Sequence, residues 1–366
     1  MEAYPLKFGA IFKEKIWGGQ HLATVLGKAL PPGARIGESW EISDHGEDAS
    51  VVRDGPWAGA SLHELVSAHA ADLLGTHVWS AQEPRFPLLL KFLDAQDWLS
   101  VQVHPEDAYP AVREKGELGK TEAWYVVWAA PGAKLICGLS HGVSPDVLRG
   151  AVGAKRLGAY LLQVAVRAGD VIFVPAGRVH TLGPGIVTYE VQRNSDVTYR
   201  LYDWGRVDDT GKPRDLHLDD ALNVMDYTPT VQPKIPPVVL EGSEVRRSFL
   251  VACRYFLSEL LEIWECYPGC CDGHSFHVLC VLSGSGVLSS GGTQTELHPG
   301  ESLLLPAGLG RYRISATNVL KVIRSSVPDL VRDVIEPLRG QGRTDAEIAA
   351  LGGEGRGNDL IPLMTH

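Results

Sequence analysis

With 366 residues, a net charge of −10 and no run of basic residues, the chain has room for two or three domains and is poorly suited to nucleic acid or an anionic membrane surface. An apolar content of 45% supplies real cores and excludes disorder over most of the length, and Gly 40 with Pro 23 points to many turns and hence many short strands. No apolar run reaches the roughly 18 residues of a membrane helix, and MEAYPLKFGAIFKEKIWGG at the N-terminus lacks the apolar stretch of a signal peptide, so a cytoplasmic protein is expected.

In chain order, residues 1 to 60 alternate short apolar stretches with Gly and Pro, among them Lys15-Ile-Trp-Gly-Gly19 and Ile36-Gly-Glu-Ser-Trp-Glu-Ile42, and predict strands and loops. Ser61 to Leu74 reads as a helix: Ser61 caps it and Glu64 completes a capping box. Phe86 to Leu93 and Trp98 to His104 read as buried strands joined at Asp94 to Asp97. Helices are expected to open at Ser144-Pro145-Asp146 and to run around Leu218 to Met225. The Pro-rich stretch 229–237 is the expected linker, and 238–326 reads as strands and turns. Beyond Val327 a helical pattern at Pro328 to Leu338 and another near Thr344 to Leu351 suggest an appended extension whose role the sequence does not reveal. The expected division is therefore 1–228, 238–326 and 327–366. The six cysteines form no CxxC pair and are expected to be free or buried thiols.

One phrase occurs twice. Gly169 to His180 and Gly300 to Arg311 share Gly, five residues, Pro, one residue, Gly, which is a turn, a short apolar strand and a Pro-x-Gly bend into the next strand. The first copy closes in a histidine and the second in an arginine. Neutral imidazole binds metals whereas a guanidinium, always protonated, does not. This predicts a duplicated β-barrel with chemistry in the first copy only, and no metal around His274, His277 and His298 of the second.

Strand alternation puts residues i and i+2 on one face, so Gln102 and His104 point together from a strand end. With Glu122 and His180 they offer two imidazoles, a carboxylate and an amide oxygen, a mix suited to a divalent ion of borderline hardness, zinc above all, with a position left for water or substrate. A histidine closing the repeat phrase is the second signature of the cupin superfamily, and Gln102-x-His104 with a distant Glu122 stands in for its first.

The strings Leu99-Ser-Val-Gln-Val-His-Pro105, Gly119-Lys-Thr-Glu-Ala-Trp124, Val174-Pro-Ala-Gly-Arg-Val-His180 and Asn194-Ser-Asp-Val-Thr-Tyr-Arg-Leu-Tyr-Asp-Trp204 closely resemble type I mannose-6-phosphate isomerases of the short bacterial form, from about residue 5 to 326. The resemblance implies a mainly β fold of two cupin-type jelly-roll barrels with a few inserted helices. It implies one Zn2+ held by Gln102, His104, Glu122 and His180, and an aldose–ketose isomerisation of a small phosphorylated sugar through an enediol. Lys91, Ser100 and Lys120 are implied to face the substrate and its phosphate, and Glu190 and Arg200 to be catalytic. Arg200 would stabilise the oxyanion, and Glu190 is favoured as the proton shuttle over Lys120, His104 or a metal-held water. Thr121 departs from the Pro that many members carry there. The alternatives are a metal-dependent cupin oxygenase, which usually needs three histidines, and a non-catalytic sugar-binding or regulatory cupin, which should lack a ligand or Arg200.

Overall fold

A computed structural model describes residues 3–79, 85–109, 117–207, 210–355 and 357–364. Its strands form four antiparallel sheets that stack as two sandwiches back to back. The first sandwich pairs a five-stranded sheet, in the order Tyr199–Tyr202, Val101–Val103, His180–Thr181, Lys134–Leu139 and Leu161–Ala165, with a seven-stranded one. That second sheet runs Lys234–Ile235, Val171–Val174, Glu122–Ala129, Ile186–Arg193, Leu88–Ala95, Ile36–Ile42 and Ile11–Gly19. The other sandwich repeats the plan with a seven-stranded sheet centred on Leu320–Ser326 and a four-stranded sheet centred on Gly310–Ala316. Leu6–Lys7 crosses over to pair with Ser302–Leu305, so the N-terminus edges the second sandwich.

Period-two alternation decides which side chains reach the site. In Ile186–Arg193, Val187, Tyr189 and Val191 turn into a seam shared with Phe249, Val278 and Ile323 of the second sandwich. The intervening residues, Glu190 among them, turn into the first sandwich beside Ile186. Leu88–Ala95 does the same: Leu88, Leu90 and Phe92 line the seam, while Lys91 shares its face with Leu93 and Ala95.

The seam also holds polar groups. Tyr189 and Ser258 hydroxyls meet the Ser325 hydroxyl at 2.8 and 2.7 Å. Glu41, 3% exposed, accepts from Ser39 at 2.6 Å and Ser302 at 2.9 Å and pairs with Lys28 at 2.7 Å. The outer face of the five-stranded sheet is covered by the helices Pro145–Gly153 and Leu218–Val224, whose Leu148, Ala221 and Leu222 pack on Val101, Val103 and Ile136.

The helix Leu62–Leu74 carries the expected capping box from Ser61 and Glu64. The Pro-rich linker is stitched into the fold: Lys234 and Ile235 pair with Ile172 and Val171, because the strand leading to the repeat bend leaves an open edge there. The C-terminal extension is likewise no appendage. Val334, Ile335, Leu338, Ile348, Leu351 and Leu360 lie in the seam core, so its amphipathic helices close the joint between the sandwiches. Among the described residues no helix is long and apolar enough to cross a membrane, and the cysteines are free, all buried except Cys270.

Candidate metal centre and active-site cleft

Strand register gathers the ligand candidates. His180 pairs with Gln102, which pairs on its other side with Arg200, so three site residues stand in a row across the five-stranded sheet. Glu122 opens its strand on the facing sheet, opposite Val174, the residue before the first Pro-x-Gly bend. Gly177 in that bend takes φ +83°, a left-handed conformation that favours glycine. Its N–H donates to the His104 carbonyl at 2.7 Å, which ties the two histidine-bearing loops together. Thr121 adds a tie of its own, its hydroxyl accepting from the Ala176 N–H at 3.3 Å. A proline at 121 would lack this bond.

His104, Glu122 and His180 are buried to 1% exposure or less and converge. The Glu122 oxygens lie 3.2 Å from His180 Nε2 and 3.5 Å from His104 Nε2. Each histidine donates its Nδ1–H to a backbone carbonyl, His104 to Val197 and His180 to Arg178, both at 2.8 Å. Those bonds fix the tautomer and turn both Nε2 lone pairs inward, the usual outer-shell arrangement of ligating histidines. The Gln102 amide NH2 donates to His180 Nε2 at 3.2 Å and Ser100 donates to the Gln102 oxygen at 3.2 Å, so a half-turn of the amide brings its oxygen to the same point. Neither buried oxygen of Glu122 accepts a hydrogen bond, although the Lys120 ammonium lies 2.8 Å from one of them, off the line of a bond. A buried carboxylate facing two imidazole lone pairs is the donor set of a divalent cation, and the residues fit one.

The electrostatics agree. Burial alone would raise the Glu122 carboxyl, but Lys120, His104 and His180 hold it well below the usual range. Burial, aided by Lys120, pushes His104 down, and burial pushes His180 down to about 3. Both imidazoles are therefore neutral, as ligands must be.

A cleft of about 110 Å³ opens beside Gln102 and His180, and Lys91, Ser100, Lys120, Glu190, Arg200 and Arg214 line it. A larger groove of about 800 Å³ passes Lys120 on the far side and reaches none of the four ligand candidates. Glu190 pairs in register with both Lys91 and Trp124, and its carboxylate accepts from Trp124 Nε1 at 2.8 Å. Burial, with Glu122 nearby, lifts its pKa to about 7 against the pull of Lys120 and Lys91. The Lys91 ammonium lies over the Trp40 ring at 4.5 Å, with Glu38 at 3.6 Å, Glu190 at 3.8 Å and Asp196 at 4.0 Å. Burial raises Glu38, but Lys91 and Lys15 outweigh it and bring the carboxyl down to about 2. Arg200 is half-buried, its Nε has no hydrogen-bond partner, and burial together with Arg214 lowers its pKa. Arg214 is held in place by Asp203, to which Nε and Nη2 donate at 2.8 and 2.6 Å.

All the expected residues thus meet in one place, and four others join them. Glu38, Trp124, Asp196 and Arg214 had no assigned role in the sequence. Trp124 carried a readable signal, standing two residues after Glu122 on the same face, whereas Glu38 shares its strand with a second carboxylate, Glu41, and nothing local singles it out.

The second sandwich carries the same positions with other chemistry. His277 opposes Leu305 as Glu122 opposes Val174. Arg324 pairs with Glu259 as Glu190 pairs with Lys91, and Arg247 stands where Glu38 does. The negative–positive–negative row Glu38, Lys91, Glu190 becomes positive–negative–positive in Arg247, Glu259, Arg324. His277 donates or accepts at the Tyr312 hydroxyl at 2.9 Å, filling the interior. A separate group, His77, His274 and Asp329, lies near the joint with the extension. Its imidazoles stack 4.5 Å apart and 16° from parallel, so their in-plane lone pairs do not meet at one point.

Fold and donor set define a cupin protein with, among the described residues, one buried carboxylate–imidazole centre, in its first sandwich. Residues 6–126 match the family described as phosphomannose isomerase type I, catalytic domain, and residues 246–327 match mannose-6-phosphate isomerase, cupin domain. The chain is 37% identical to the mannose-6-phosphate isomerase of Streptococcus mutans over 83% of its length and 93% of that protein. It is 36% identical to mannose-6-phosphate isomerase ManA of Bacillus subtilis over 86% of its length and 96% of that protein. A crystal structure of the Bacillus subtilis mannose 6-phosphate isomerase superposes with a TM-score of 0.81 at 34% identity, covering 88% of this chain and 99% of that one. The chain belongs to the type I mannose-6-phosphate isomerase family.

Proposed function

We infer that this chain interconverts mannose 6-phosphate and fructose 6-phosphate, using one divalent ion, Zn2+ by the nature of the donors, held by Gln102, His104, Glu122 and His180. The observation that carries the reading is the convergence of the fully buried Glu122 carboxylate, 3.2 and 3.5 Å from the two neutral Nε2 atoms of His180 and His104. When bound, the ion supplies Lewis-acid polarisation to the sugar's carbonyl and hydroxyl oxygens.

The residues of the chain do the rest. In the aldose-to-ketose direction a proton leaves C2 and returns at C1, while a hydroxyl proton moves between the two oxygens. Glu190 is the proton carrier. It faces the cleft, and a carboxyl near neutrality can both take and return a proton at little cost. Lys120 lines the same cleft but is ion-paired to Glu122 at 2.8 Å and lies 3.3 Å from His104, and His104 has both nitrogens engaged, so Glu190 is the group we favour for moving the proton. Arg200, with Nε unpaired, faces the enediolate oxygens and stabilises their developing charge. Lys91, Ser100 and Lys120 make the expected phosphate contact set. Since carboxylates already surround Lys91, its charge serves both that anion and Glu190.

The test is isomerisation of mannose 6-phosphate before and after dialysis against a chelator. Activity lost on chelation and restored by Zn2+ is the expected result. Turnover that persists in metal-free protein, or that no divalent ion supports, overturns the reading.

A further inference from the structure

The C-terminal extension lies past residue 327, where the matched cupin domain ends, and its final stretch runs against the loop that delivers His180. Leu351 accepts from the Ala252 N–H at 3.0 Å and Asp359 from the Arg254 N–H at 2.9 Å, which pins both ends to the second sandwich. Between these points the backbone presses on the repeat phrase of the first sandwich. Gly353, at φ +70°, sits so close that a Cβ there would be 2.8 Å from Phe173, and one on Gly357 would be 3.3 Å from Pro175. The Glu354 carbonyl accepts from Arg178 Nη2 at 3.3 Å, and the Glu354 carboxylate accepts the N–H groups of Val231 and Gln232 at 2.8 and 2.9 Å. Asn358 braces the turn from within, donating to the Ala349 and Gly353 carbonyls at 2.8 and 2.7 Å.

Arg178 is the link to the metal centre. Its guanidinium is the group the extension grips, and its backbone carbonyl is the acceptor that orients His180 through Nδ1–H. Arg178 is 8% exposed, and its bond to Glu354 is part-buried in the wall of the larger groove. Phe173, Pro175 and Arg178 are touched on one side by the extension and lead directly to His180 on the other.

We propose that residues 351–355 and 357–360 act as a positioning strap, holding the Pro175-to-His180 loop in the conformation its metal ligand requires, with Arg178 as the point of transmission. The strap contributes no ligand and touches no substrate. It works as an outer-shell support, the kind whose loss commonly weakens metal binding by about 10–100-fold.

The inference rests on the metal-binding reading above, and the experiment separates the two. Full-length protein loaded with Zn2+ is challenged with excess chromophoric chelator and the release rate recorded for the parent, Arg178→Met, Arg178→Lys and Glu354→Ala, with Arg339→Ala on the exposed part of the extension as control. Amide exchange of residues 171–181 and the unfolding midpoint of the metal-free proteins are measured alongside. Expected are a release about 10–100-fold faster in Arg178→Met and Glu354→Ala, partial rescue by Arg178→Lys, faster exchange in the loop, and metal-free midpoints close to the parent. Release within twofold of the parent in both variants, or acceleration that only tracks a lower metal-free midpoint, overturns the strap. A parent that binds no Zn2+ overturns the metal reading instead, and loop exchange in Arg178→Met then decides the strap alone.

Discussion

Lys91→Met separates the two roles proposed for this side chain. Lys91 Nζ lies 3.8 Å from the Glu190 carboxylate, and methionine keeps the length and bulk of the stem while removing the charge. At an effective dielectric of about 20, unit charges at that separation attract by about 4 kcal/mol, equivalent to roughly 3 pH units. The Glu38 carboxylate shares the same ammonium, and the cleft admits water, so the realised shift is between about 1 and 3 units. The sign follows from the role of Glu190. Lys91 favours its ionised form, so removing Lys91 raises a pKa that burial has already raised, and a base must be ionised to take a proton from C2. The acid limb of the kcat profile therefore moves to higher pH. The assay is the initial rate of fructose 6-phosphate formation at saturating mannose 6-phosphate, from about pH 5 to 9. An unmoved limb with an unchanged plateau and a raised KM would refute this charge coupling and leave Lys91 as a phosphate ligand alone.

Arg200→Ala is expected to keep fold and metal content and to lose about 100-fold or more in kcat, because the lost charge acts on the enediolate more than on bound sugar; a near-normal kcat with only a raised KM would make it a binding residue. Glu190→Gln should stop exchange of the C1 and C2 protons with solvent, read by NMR in deuterated buffer, and persistent exchange would move the base elsewhere. Glu259→Ala in the second sandwich leaves the buried Arg324 without its partner and should cost about 3–5 kcal/mol in chemical denaturation while sparing the metal. In the parent, burial raises the Glu259 carboxyl but Arg324 and Arg247 bring it down to about 2, so its stabilisation is full above the ordinary carboxylate range and fades as pH falls toward that value.

Three of the ligand candidates were legible because they sit in short local phrases: a Gln-x-His pair at a strand end, and a histidine closing a Pro-x-Gly bend. Register then did what spacing alone could not, bringing Gln102 beside His180 and Glu190 beside Lys91. The helix at Leu62–Leu74 was readable to its capping box because that signal is contained within four residues. Glu38 and Arg214 were not, since what makes them part of the cleft is a neighbour far away in sequence. The packing of the extension was hidden for the same reason. Its helical pattern shows in the sequence, but the surface it covers exists only once the two seven-stranded sheets have met.

The polar groups set into that seam have a mechanical consequence. Slipping one sheet along the other by a single residue would turn Glu41, Lys28 and the hydroxyls of Ser258 and Ser325 into apolar surroundings, a loss that the matched geometry makes all-or-none. These matched polar contacts across the seam oppose sliding of one sandwich on the other. At about 110 Å³ the cleft is well short of the roughly 300 Å³ at which ligand pockets usually begin. Widening it for a hexose phosphate falls to the rim, where Lys15, 35% exposed, can swing aside while Arg214 stays pinned by Asp203.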